Sequence, residues 1–184
     1  MTKDSRSKSR KGPKAVEPIK DGETVQVVIE TPRGNRNKFK YDPESGFFKL
    51  SKILPEGMVF PYDFGFVPST KGEDGDPLDV LVLTDEPTFP GCLLDCSLIG
   101  VLEAEQEEEG QTERNDRIVA AAKQSLMYEN VRDLRDVNET VLRQIEAFFV
   151  NYQKVRDVKY KIIARKGREH AFEMVRKSSS KKAA

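Results

Sequence analysis

Short runs of β-branched and aromatic residues follow one another along most of this chain: TVQVVIE, NKFKYD, FFKL, MVFPYDFGFV, LDVLVL, CLLDCSLIGVLEAE, RIVAAA and VKYKIIA. Turn signals such as DPESG and EPTFPG separate them. Runs of this length and makeup form strands, and short connections favour antiparallel pairing. Helical period arises in one place, Asn138 to Val155. There Val141, Ile145, Phe148, Tyr152 and Val155 recur at alternating steps of four and three behind Asn138 as N-cap. One apolar stripe offers one docking surface, so the predicted class is α+β, a small antiparallel β-barrel with helix packed outside it.

At 184 residues the chain has room for one domain with a substantial core. Its formal charge is zero, yet Met1 to Lys20 holds seven basic and two acidic residues, and Arg176 to Ala184 holds four basic ones. The body between them therefore carries about −9. Residues 1–20 read as a disordered basic arm, 21–177 as a single domain and 178–184 as a disordered basic tail, because the ends lack the apolar residues that would repay ordering. The arm has no apolar segment of the secretory kind and no run reaches membrane-spanning length, so the expectation is a soluble, cytoplasmic protein. Cys92 and Cys96 share a strand face but lie too far apart along an extended chain to bridge, and with the single histidine, His170, they make no structural zinc site. Both are expected as reduced, buried or half-buried thiols. Residues 103–110, EAEQEEEG, read as a solvated hairpin tip.

One segment is built for chemistry. Residues 73–79, EDGDPLD, place Asp74, Asp76 and Asp79 at offsets of two and three just before the strand VLVL. Gly75 and Pro77 make the segment a tight turn, so the three carboxylates cannot spread apart and repel unless a cation sits among them. Mg²⁺ takes one or two carboxylates and keeps water for substrate phosphates, which suits such a turn. An EF-hand is excluded: counting from Asp74, the sixth position is Asp79 rather than glycine, and a strand follows.

The string resembles the signature of the soluble family I inorganic pyrophosphatases, an Asp-x-Asp-Pro-x-Asp turn followed by a hydrophobic strand. The family's order of site residues can be followed from about Thr24 to Ile163. Glu30 ends VQVVIE and matches a metal-shell glutamate; Lys38 matches the phosphate-binding lysine; Lys52 stands where the family often has arginine. Asp74, Asp76 and Asp79 match the metal aspartates, Asp76 being the favoured base, and Tyr152 matches the substrate tyrosine. The resemblance implies an OB-like five-stranded barrel with flanking helices, Mg²⁺ as cofactor, pyrophosphate as substrate, and self-assembly, as a hexamer in bacterial members. Asp116 is assigned to the metal site and Arg117 to the substrate, while Glu105 and Glu107 stay open as further metal acids.

This chain also departs from the pattern. Lys40 replaces a usual glutamate, Phe60 and Phe64 occupy tyrosine positions, Gln153 replaces the lysine after the tyrosine, and a later Asp-x-Lys becomes Asn115-Asp116-Arg117. Each missing hydroxyl removes a donor typically worth about 0.5–1.5 kcal/mol, or up to about 3 when the acceptor is charged. The mechanism implied is metal-assisted attack of water on phosphorus, with Asp76 taking the proton and Lys38, Lys52, Arg117, Lys159 and Tyr152 holding phosphate oxygens. Two other classes stand beside it: a catalytically inactive relative binding metal or a phosphorylated ligand, and an OB-like nucleic-acid module. The acidic body argues against the second.

Overall fold

The computed structural model describes residues 16–73 and 75–180. Asp74 and the residues before 16 and after 180 lie outside them, and with them most of the two basic ends. The strands are β1 (Ile19–Lys20), β2 (Thr24–Thr31), β3 (Asn37–Asp42), β4 (Phe47–Ile53), β5 (Asp63–Phe66), β6 (Asp79–Leu83), β7 (Leu93–Glu108), β8 (Gln111–Arg114), β9 (Arg117–Ala122) and β10 (Lys159–Gly167). Among the described residues, two α-helices, α1 (Glu139–Lys154) and α2 (Arg168–Ser180), and a short 3-10 turn at Leu134–Asp136 complete the body. The β1 strand pairs with β2, so the end of the span read as an arm joins the sheet.

The main sheet runs β1-β2-β5-β6-β9-β7-β10, and an added β2–β7 pairing closes β2, β5, β6, β9 and β7 into a ring. This is the expected OB-like α+β arrangement, with one correction: β6 and β9 pair in parallel, Val80 opposite Ile118. The long connection through β7 and β8 returns the chain in the same direction, which a tight turn cannot do. Gly65 is what lets β5 lie against β2, since a Cβ there would strike the Val28 carbonyl and Ile29 Cα.

Alternation along the ring strands sorts side chains into two cores. Val80, Val82, Ile118 and Ala120 join Val25, Val27 and Ile29 in one. Leu81, Leu83, Val119 and Ala121 join Phe60, Phe64 and the face of α1 in the other. Each fully buried Leu or Val contributes about 1.5–3 kcal/mol. Asn138 caps α1 as expected, its side chain accepting from the Thr140 amide at 2.8 Å. The buried face of the helix is Leu142, Ile145, Phe149 and Tyr152, a stripe rotated from the expected one, and Val155 is exposed. Val141 and Phe148 are partly buried, so the apolar sector is wide and the curvature of the sheet decides its centre. The second helix, α2, agrees with the flanking helices that the resemblance implies, though hydrophobic periodicity did not place it; it docks through Ala171, Phe172 and Val175. Those three fall at helical spacing but are hidden among charges.

The acidic stretch, expected as a solvated tip over residues 103–110, instead continues β7 through its first six residues, with Ala104 buried, and the tip is only Glu109–Gly110. Glu109 and Gly110 both have positive φ, 51° and 80°, in the two-residue turn joining β7 to β8.

Candidate active site

Four chain segments bring acids and cations together on one side of the ring. The turn before β6 puts Asp79 at the head of that strand, in register with Leu81 and hence on the α1 side. Gly75 takes φ of 87° in the turn, a conformation L side chains resist, and the Gly72 amide donates to the Asp76 carbonyl at 2.7 Å. Asp76 accepts from Lys40 Nζ at 2.7 Å. That bond is the main reason the Lys40 ammonium is held above the ordinary lysine range. Asp79 Oδ2 lies 2.8 Å from Arg117 Nη1. Glu30, 6% exposed near the end of β2, accepts from the Tyr41 amide at 2.7 Å. Burial pushes its carboxyl up to about 7, with the nearby negative charge of Asp79 adding to the effect. Asp74, the remaining acid of the turn, lies outside the described residues.

A cationic group adjoins these acids. The β3–β4 hairpin pairs Lys38 with Lys52. Lys38 Nζ lies 3.4 Å from the Tyr152 hydroxyl, 5.3 Å from the centre of its ring and 5.5 Å from that of Phe64. The ammonium of Lys52 is held below the ordinary lysine range, chiefly by burial, and Arg156 and Lys38 push it the same way. Phe60 and Phe64 are 1% and 2% exposed and pack against Phe148 and Phe149 beneath Lys38. Both rings belong to the core, at the positions where the family pattern has tyrosine.

Behind Tyr152 runs a chain of amides that sequence reasoning missed. Asn115 Nδ2 donates to Gln106 Oε1, Gln153 Nε2 donates to the same oxygen at 3.4 Å, and Arg156 Nη1 donates to Gln153 Oε1 at 2.7 Å. Gln106 stands between acids in the sequence, so nothing in composition singled it out. Its place on the strand, alternating with Glu105 and Glu107, was the available signal.

Asp116 is engaged elsewhere. Its Oδ1 accepts from the Ala104 amide at 2.9 Å and from Arg114 at 2.8 Å, an arrangement that ties the β8–β9 connection back to β7. Glu103 is likewise surrounded, with Arg114 at 3.3 Å and His170 at 3.3 Å. Lys159 pairs with Glu107 at 2.7 Å on the exposed side of β10. Neither residue is brought to the Tyr152 cluster. Among the described residues no three acids, histidines or cysteines stand close enough to cage a metal ion unaided. Hard oxygen donors are nevertheless the right chemistry for Mg²⁺, which needs only one or two carboxylates. Glu30 and Asp79 are near enough to feel each other's charge.

A family model described as inorganic pyrophosphatase matches residues 27–183. The inorganic pyrophosphatase of Thermus thermophilus is 38% identical over 157 residues, covering 84% of this chain and 87% of its own length. That of Streptomyces coelicolor is 42% identical over 127 residues, covering 69% and 76%. The crystal structure of the Thermus thermophilus inorganic pyrophosphatase superposes with a TM-score of 0.86 at 33% identity, covering 93% of this chain and 98% of that one. The inorganic pyrophosphatase of Helicobacter pylori gives 0.84 at 28% identity, with 92% and 99% covered.

Proposed function

The chain belongs to the inorganic pyrophosphatase family, and from that premise we propose that it hydrolyses pyrophosphate to two phosphates in a Mg²⁺-dependent reaction. The observation that carries the reading is the juxtaposition of two halves of a site. Glu30, Asp76 and Asp79 form an acidic half, and Lys38, Lys52 and Tyr152 a cationic half, with Lys38 acting electrostatically on both Glu30 and Lys52.

Pyrophosphate is a compact polyanion that repels an attacking oxygen nucleophile, so the barrier falls when positive charge surrounds it. Asp74, Asp76, Asp79 and Glu30 would hold the metal. Bound there, Mg²⁺ would neutralise phosphate charge and acidify a water. The protein's own groups do the rest. Lys38 and Lys52 bind non-bridging oxygens, and the Tyr152 hydroxyl donates to one of them. Asp76 accepts the proton as the water oxygen bonds to phosphorus and the bridging P–O bond breaks. Lys40, 2.7 Å from Asp76, holds that carboxylate in place. Arg117, assigned to substrate from sequence, is turned to Asp79 instead, and its part in phosphate binding is indirect. Asp116 serves to anchor the β8–β9 connection rather than to bind metal.

Cytoplasmic residence is part of the same proposal, and self-assembly as a hexamer rests on the family resemblance. Light scattering on the purified chain reads the second directly. Among the described residues no helix is long and apolar enough to cross a membrane. The decisive experiment is phosphate release from pyrophosphate with Mg²⁺ and with excess EDTA. Release with metal and none with chelator supports the proposal. No release above background with ample metal and substrate sinks it in favour of a binding-only relative.

A further inference from the structure

We propose that Arg156 is a third phosphate-binding cation of this site, positioned by the buried amide of Gln153. The inference deepens the pyrophosphate reading and rests on it for the identity of the anion.

The first support is an imbalance of charge. Lys40 is paired with Asp76, Arg117 with Asp79, Arg114 with Asp116 and Lys159 with Glu107. Among the described residues Lys38, Lys52 and Arg156 have no carboxylate within ion-pairing distance, and all three gather around Tyr152. Lys38 lies 3.4 Å from its hydroxyl, and the Arg156 guanidinium lies 6.0 Å from the centre of its ring. Lys52 stands across the strand pair from Lys38. Lys38 and Arg156 both oppose protonation of Lys52, as like charges must, and Glu108 is the one acid set against them. Three cations held near one hydroxyl repel, and an anion binding among them relieves the repulsion.

The second support is that the arginine is held. Gln153 is 3% exposed, and its carbonyl oxygen accepts from Arg156 Nη1 at 2.7 Å. Its amide nitrogen donates to Gln106, which Asn115 grips in turn. The backbone fixes the same residue. α1 ends in a turn in which the amides of Arg156 and Val158 both donate to the Gln153 carbonyl, at 2.9 and 3.2 Å, and Asp157 takes φ of 58°. A side chain so restrained has less rotamer freedom to lose on binding. Its guanidinium has five donors, so the bond to Gln153 leaves others for phosphate oxygens.

The test is calorimetric titration of the metal-free full chain with pyrophosphate in EDTA, alongside steady-state kinetics with Mg²⁺. Arg156→Gln is expected to weaken pyrophosphate binding about tenfold and to raise KM about as much with kcat little changed. Arg156→Lys should recover part of the loss, since charge remains but the fork does not. Gln153→Leu should weaken binding less, and adding it to Arg156→Gln should cause no further loss, because it acts through the arginine. Arg156 is exposed, so its variants should keep the parent melting temperature. Equal affinity and KM for Arg156→Gln and the parent would overturn the inference while leaving the hydrolase reading intact. Arg156-dependent binding by a chain that releases no phosphate would do the reverse.

Discussion

Arg117 Nη1 meets Asp79 Oδ2 at 2.8 Å across the parallel β6–β9 pair, and the guanidinium lies near the rings of Phe64 and Phe149, 5.9 and 5.6 Å from their centres. Arg117 is 8% exposed and its buried Nε has no hydrogen-bond partner among the described residues. Asp79 therefore carries a fixed counter-cation that a metal ion must accommodate. Replacing it with a neutral group, Arg117→Gln, should tighten Mg²⁺ binding by about tenfold, the effect of relieving about 1.4 kcal/mol of repulsion. The same change should lower stability by about 1–2 kcal/mol, a value reduced from that of a fully buried pair because Asp79 is one-third exposed. Calorimetric Mg²⁺ titration checks the first expectation. Unchanged or weaker affinity would mean that Asp79 does not face the metal.

Asp79 of this pair and Asp116, which precedes Arg117 in the chain, should differ in activity on truncation. Asp79→Ala is expected to reduce kcat by about a thousandfold or more, since it removes a metal donor, and to lower stability by about 1–2 kcal/mol, since the buried Arg117 loses its carboxylate. Asp116→Ala should keep kcat within a few-fold and lose about 1–3 kcal/mol of stability, because the Ala104 amide and Arg114 lose their acceptor. Activity and chemical denaturation of both variants check this pair of expectations. Loss of activity in a stable Asp116→Ala protein would return Asp116 to the metal site.

Glu30 makes stability depend on pH. Its folded pKa of about 7 lies above the ordinary 4.5, so the folded chain holds this proton more tightly than the unfolded one. The resulting stability is fully present below about pH 4.5 and is lost as pH rises through about 7. In EDTA, the melting temperature of the parent should fall across that window relative to Glu30→Gln, which carries no titrating proton. Parallel profiles would show that Glu30 ionises normally. Adding Mg²⁺ should flatten the difference, because a bound cation favours the carboxylate.

Phe64→Tyr should destabilise the protein by about 1–3 kcal/mol and leave KM unchanged, since the ring is 2% exposed among Phe60, Phe149 and Leu81. Thermal melts and KM for this variant decide the point. A lower KM with an unaltered melt would show that a hydroxyl at this position reaches substrate.

Much of this was written in local chemistry. The strand runs, the Asn138 cap, the acidic turn and the hairpin at Glu109–Gly110 follow from backbone preferences and alternation, which act over a few residues and are visible along the chain. The order Glu30, Lys38, Lys52, Asp76, Asp79, Tyr152 likewise needed no coordinates to suggest a phosphate site. Tertiary structure decided what depends on direction and on distant partners. The parallel β6–β9 pairing sets Arg117 against Asp79, and closure of the ring buries Phe60 and Phe64 beneath Lys38. A fold back onto β7 commits Asp116 to Ala104 and Arg114, and the end of α1 brings Arg156 beside Lys52 through Gln153, whose place after Tyr152 was legible in sequence while its bond to Arg156 was not. The reason is physical: a side chain's charge and size are intrinsic, whereas its burial and its partner belong to residues tens of positions away, and only packing brings them together.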